Sequence, residues 1–236
     1  MVMQLDVIKN QMKNIFLTLD HRKSTDDLPR FIHKIYTESI NEKKPMEPVY
    51  SSDWLFYNPK KDGIPAPKEL MLPPKLIAVC KAVKSFEQDF FVSEIREWIV
   101  SERFYDFLKV NQFLEGYYEE SSLTLVSDKG KKVSSKNHYL LRFYKGYDEF
   151  IDFENSPKIQ PKKGAGLPKV YYPDLVLKEG VELPKMFYLD EACFRYSFFV
   201  NEEVKQKLQE QQFLGFEFFD PESFVKERQY RDENPY

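Results

Sequence analysis

The chain has 236 residues, 42% hydrophobic and 31% charged, with a formal net charge of −3. That is long enough to bury a real core as one large domain or two small ones, and the missing basic excess argues against a general nucleic-acid binder. Two cysteines in no paired motif give no support to a disulfide framework or a four-ligand zinc site. No stretch has the apolar run of a signal peptide or membrane span, so a soluble protein of the reducing cytoplasm is expected.

In chain order, Leu5, Ile8, Met12, Ile15, Phe16 and Leu19 recur at three- and four-residue spacings, which predicts an amphipathic helix over residues 3–19. A second helix is expected after Ser24 or Thr25, with Asp26 and Asp27 in its first turn and Leu28, Phe31, Ile32, Ile35 and Tyr36 on its apolar face. "VYSSDWLFY" (49–57) is rich in strand formers. The proline-rich "NPKKDGIPAPKELMLPPK" reads as a surface loop whose Leu70, Met71 and Leu72 favour burial. "SLTLVS" and "HYLLRFY" predict a hairpin closed at "DKGK". "EFIDF" and the regions of "VYYPDLVL", "MFYL" and "FRYSFFV" predict further strands, and the polar tail "KERQYRDENPY" is expected to fray.

Two stretches resemble each other at a distance of 100 residues: "WIVSERFYDFLKVNQFLEGYYE" and "FFVNEEVKQKLQEQQFLGFEFF". Positions 98–114 share six identities with 198–214: Val100/Val200, Glu102/Glu202, Leu108/Leu208, Gln112/Gln212, Phe113/Phe213 and Leu114/Leu214. Each copy reads as a strand, an N-cap (Ser101 or Asn201), a helix opened by Glu, and a stop near Gly116 or Gly215. Duplication and shared local physics both account for this. The fold class is therefore α+β, with mixed or antiparallel sheets packed on helices, two related strand–helix–strand units near 90–120 and 190–220, and an N-terminal helical extension. The expected division is 1–45 for the extension and 46–236 for one compact unit.

Catalytic motifs are sparse. There is no Gly-x-Ser-x-Gly elbow, and "KKGAGLPK" lacks the order of a phosphate-binding loop. His21, His33 and His138 have no zincin spacing, and Cys80 and Cys193 sit in apolar contexts typical of buried structural thiols. "YDEFIDFENS" is the richest acidic cluster. On a strand, Asp152 and Glu154 would share a face, which suits a solvated edge, a divalent metal or a basic protein partner. The lysine-rich "SDKGKKVSSKNHYLLRFYK" suits a solubilising hairpin tip or, less well, nucleic acid.

The segment order is more telling. The series "VYSSDWLFYNPKK", "LPPKL", "FEQDFF", "IVSERFYDFLKVNQFLEGYYE", "LTLVSDKGKKVSSKNHYLLRF", "FIDFENS" and "FFVNEEVKQKLQEQQFLGFEFF" resembles the immunity proteins of bacterial polymorphic toxin systems, most of all the immunity protein 43 family. The resemblance spans about residues 49–220 and carries no catalytic motif. It implies a non-enzymatic cytoplasmic protein, without cofactor, that binds and neutralises a cognate toxin encoded by a neighbouring gene. Asp148, Glu149, Asp152 and Glu154 are then candidates to meet a basic toxin, and Tyr105 is a candidate aromatic anchor. The alternatives are a metal-dependent enzyme using Asp152 and Glu154, and a nucleic-acid binder using the lysine hairpin.

Overall fold

A computed structural model describes residues 15–20, 33–41, 43–44, 53–81, 83–94, 96–161 and 170–233. Strands β1 (Ile15–Asp20) and β2 (His33–Thr37) precede a short helix α1 (Pro59–Asp62). Strands β3 (Lys75–Lys81), β4 (Phe90–Glu94) and β5 (Glu97–Ser101) lead into helix α2 (Glu102–Val110). Next come β6 (Tyr118–Ser127) and β7 (His138–Phe143), then β8 (Met186–Phe187) and β9 (Phe199–Asn201), helix α3 (Glu202–Glu210), β10 (Phe216–Phe219) and helix α4 (Pro221–Glu233).

The strands form two sheets, of order β2-β3-β6-β7-β5-β4 and β10-β1-β9-β8. Among the described strands only β3 and β6 run parallel, so the class is α+β as expected. The hairpin reading holds in part: β6 pairs antiparallel with β7 and its alternate residues Glu119, Ser121, Leu123 and Leu125 are buried, but that ladder ends at Leu123 and His138, and the turn at 128–130 closes only the isolated bridge between Val126 and Lys132. The sheets enclose three aromatic-rich cores. One joins the facing sides of the two sheets through Phe90, Trp98, Val100, Phe104, Phe198, Val200 and Phe216. A second lies between the other side of the four-stranded sheet and α4, and a third covers the six-stranded sheet around Trp54, Leu76 and Phe86. Ring centroids of Phe90 and Phe198 lie 4.8 Å apart across the central core, within the range where aromatic pairs add to burial.

The similarity at 100 residues extends to the backbone. Ser101 and Asn201 cap their helices, accepting from Phe104 N at 3.2 Å and Val204 N at 2.9 Å. Both helices end at a glutamine with positive φ, Gln112 at 57° and Gln212 at 51°, so these glutamines, not the glycines, take the left-handed turn. Both strands begin after another such residue, Arg96 at 66° and Tyr196 at 68°. These two pairs, each 100 residues apart, account for every non-glycine positive φ among the described residues. Gly215 has a different reason to be glycine: a Cβ there would lie 2.0 Å from the Phe90 carbonyl oxygen.

Sheet order repeats as well. In the first half β7 lies between β5 and β6; in the second, β1 lies between β9 and β10. Tyr139 pairs with Val100 where Phe16 pairs with Val200. The second half therefore takes its middle strand from the start of the chain.

Several expectations fail for physical reasons. Residues 15–20 are a strand, not the end of a helix. Phe16 packs against the central core while Ile15 and Leu17 enter the second, so both faces of β1 are apolar and alternation is erased. Residues 33–37 are likewise a strand, paired with β3, rather than the end of a second helix. The rest of both expected helices, residues 3–14 and 24–32, lies outside the described residues. Asp53–Phe56 is a 3-10 turn instead of a strand; residues 49–52 are not described. "VYYPDLVL" contributes only isolated bridges at Tyr171 and Leu177. The tail is helical through Glu233. Asp220 accepts from Ser223 N at 2.9 Å at its start, Phe224 and Val225 are buried, and Arg228 pairs with Asp232 four residues on.

Candidate partner-binding cleft

The residues singled out from the sequence are dispersed. Asp148 begins a 3-10 turn and its carboxylate accepts from Asp190 N at 2.7 Å and Glu191 N at 2.8 Å. Burial raises its pKa above the usual carboxylate value. Glu149 pairs with Lys145, and Glu154 is exposed. Asp152 accepts from Asn155 N at 3.1 Å and from its side-chain nitrogen at 2.7 Å, which hold its carboxyl below the usual value. This local bonding folds residues 152–156 into a turn, so the expected shared strand face of Asp152 and Glu154 does not form. Tyr105 is 2% exposed, packed on Tyr139 with Lys109 over its ring.

Among the described residues no group of three or more His, Cys, Asp or Glu is placed to hold a metal ion. Cys80 and Cys193 are buried, and burial pushes the Cys193 thiol well up. From the lysine hairpin, Lys136 turns inward to Asp89, at 2.9 Å.

A different surface is built from a buried ion pair. Glu119 on β6 and Arg142 on β7 are cross-strand neighbours, 6% and 7% exposed. Arg142 Nε donates to Glu119 at 3.1 Å, and its terminal nitrogens donate to the Trp54 carbonyl at 2.6 Å and the Leu70 carbonyl at 2.8 Å. Glu119 also accepts from Leu72 N at 3.3 Å. Buried charges cost several kcal/mol unless paired and fully hydrogen-bonded. Here the surplus bonds tie both ends of residues 53–72, a segment that takes in most of the proline-rich stretch, to the sheet. Trp54 and Leu72 are buried beneath it, whereas Met71, expected inside, points out.

Held this way, the segment displays Leu55 (46% exposed), Phe56 (80%), Ile64 and Met71. Beside Phe56 opens a cleft of about 540 Å³. Tyr57 and Tyr117 pack on Tyr144, with ring centroids 5.0 and 4.8 Å away. Arg142 lies over Tyr57 at 5.0 Å, the geometry of a cation–π contact. Burial raises the Tyr57 phenol; burial and then Glu119 raise that of Tyr144, so both stay protonated at neutral pH.

On the opposite wall Arg96 Nε donates to Asp190 at 2.8 Å and Nη1 to the Tyr144 carbonyl at 2.9 Å, and the bond to Asp190 raises the guanidinium pKa. Asp148, through its bonds to residues 190 and 191, steadies this wall. Arg195, preceding Tyr196, completes the cleft. The two positive-φ turns of the repeat thus meet at one site. Sequence reasoning missed it; the one signal was an apolar and aromatic run, "WLFY", leading into a proline-rich loop.

Fold and surface define the class: an α+β protein that displays exposed apolar side chains beside an arginine-lined cleft. A family model described as Immunity protein 43 matches residues 20–231, and the chain belongs to that family. Comparison with curated proteins gives no match. No helix among the described residues is long and apolar enough to cross a membrane.

Proposed function

We propose that this chain is an immunity protein of a bacterial polymorphic toxin system that binds a cognate toxin domain in the cytoplasm and blocks it without catalysis. The docking surface is the strap of residues 53–72 with the adjoining cleft. One observation carries the placement: four of the nine exposed large hydrophobic side chains among the described residues, Leu55, Phe56, Ile64 and Met71, lie on this one strap. An exposed apolar cluster on a soluble protein marks an interaction site, and a segment already fixed by Arg142 and Glu119 loses little entropy on binding. The family supports the toxin as the partner. In this reading Asp148 borders the site through its bonds to the Asp190 and Glu191 amides, while Asp152 and Glu154 are not among the residues that line the cleft.

The test is co-expression with the toxin domain encoded by the neighbouring gene. Rescue of growth and a co-purifying complex are expected. Phe56→Ala should leave stability within about 0.5 kcal/mol, since the ring is solvent-exposed, yet weaken the complex at least about tenfold, as for a central aromatic anchor. Absence of both rescue and complex with the wild-type chain would refute the function; a Phe56→Ala variant that binds normally would refute the placement.

A further inference from the structure

We infer that the cleft receives an acidic loop of the partner, with carboxylates meeting Lys60 and Arg195 and an apolar neighbour against Phe56; this rests on the toxin-binding reading above. The chain as a whole carries −3, but four basic side chains line the cleft, Lys60, Arg96, Arg142 and Arg195, against two acidic ones, Glu97 and Asp190. Two of the four are neutralised locally, Arg96 by Asp190 and Arg142 by Glu119. Glu97 accepts from Ser93 at 3.3 Å. Lys60 and Arg195, both exposed, have no carboxylate within ion-pair distance among the described residues. The inner charges are therefore structural, and the outer two are left for an incoming group.

Their supports are firm. Lys60 sits in α1, whose start is held by Asn58 accepting from the Lys60 amide at 3.0 Å. Arg195 precedes Tyr196, whose φ of +68° sets the local chain direction. A volume of about 540 Å³ lies within the range of pockets that enclose a ligand-sized group, about 300–1,000 Å³, and suits a few side chains of a loop. Charge complementarity at a rim acts mainly on the rate of association and its salt dependence.

The experiment measures association with the toxin domain encoded by the neighbouring gene for the wild-type chain, Lys60→Glu/Arg195→Glu and Asp152→Lys/Glu154→Lys. Unchanged melting temperatures establish that the variants fold. The expected result is a fall of about tenfold or more in the association rate of the first variant at low salt, and no fall for the second. Raising salt from about 20 to about 300 mM should slow the wild-type chain and leave the first variant nearly unaffected. Equal rates for wild type and Lys60→Glu/Arg195→Glu would overturn the acidic occupant and leave the immunity function standing. So would faster binding of that variant, slower binding of Asp152→Lys/Glu154→Lys, or a self-association that the first variant abolishes. No complex with the wild-type chain would overturn both.

Discussion

Asp89 offers the sharpest test of how the two halves are joined. Its side chain is 2% exposed, just before β4. One carboxylate oxygen accepts from the Ser101 hydroxyl at 2.7 Å and from Lys136 Nζ at 2.9 Å; the other accepts from Leu214 N at 3.0 Å. One anion thus holds the α2 cap, the hairpin loop and the turn after α3. Asp89→Asn keeps the shape but removes the charge and offers only one acceptor oxygen to three donors. Each charged hydrogen bond is worth about 1.5–3 kcal/mol, and breaking a buried pair costs about 3–5 kcal/mol. Lys136 is 31% exposed and regains some hydration, so the loss should fall near the lower figure, about 3 kcal/mol.

For a chain of this size that is a fall of about 6–12 °C in melting temperature. The pH dependence has a definite sign. Burial raises the Asp89 carboxyl, but the Leu214 amide, Lys136 and Ser101 together outweigh it, so its folded pKa is below the ordinary value. The stabilisation is full above the unfolded carboxylate pKa, about 3.9, and is lost as pH falls through the lower folded value. Guanidinium unfolding of both proteins should show the full gap at pH 7 and a shrinking one below about pH 4. A gap under about 1 kcal/mol at pH 7, or one that does not narrow in acid, would refute the reasoning.

Other outcomes follow from the same packing. Glu119→Gln should cost about 3–5 kcal/mol by leaving Arg142 unpaired, and hydrogen exchange should quicken across residues 54–72 before it does in the sheet beneath them. Gly215→Ala should cost about 3 kcal/mol, because its Cβ meets the Phe90 carbonyl at 2.0 Å with φ at +125°. Gly180→Ala, with φ at +74° and open space around it, should cost only about 1 kcal/mol, and equal unfolding midpoints for the two would contradict the close approach. Phe104→Ala removes a fully buried ring that meets Phe90 and Phe213 and should cost about 3–5 kcal/mol in equilibrium unfolding. Cys80 and Cys193 should resist thiol reagents in the native chain and react on unfolding; rapid native labelling would show their burial to be wrong.

The parts legible in the sequence are those whose physics is local. Ser101 and Asn201 are caps because a side-chain oxygen reaches an amide two or three residues on, and their neighbours suffice to show it. The antiparallel pairing of β6 and β7 was visible in alternation, although the turn residues at 128–130 close only the Val126–Lys132 bridge and not that ladder. The family resemblance placed residues 49–220, and the family match adds the N-terminal part from residue 20, where local signals were misleading. β1 read as a helix because its burial on both faces comes from partners some 180 residues away. The strap was legible as a loop, but not as a rigid one: nothing near Trp54 or Leu70 announces that Arg142 will hold their carbonyls.

By itself, then, the sequence determined the caps, the helix stripes, the β6–β7 pairing, the α+β class and the family, all of which depend on neighbours within a few residues or on the order of segments. Tertiary structure alone decided that β1 completes the second half, that Asp148 steadies the wall carrying Asp190, and that Phe56, Arg96 and Arg195 share one cleft. The reason is physical: burial and ion pairing are settled by contacts between residues far apart in the chain, and a side chain's local context does not reveal which distant partner will take it out of water.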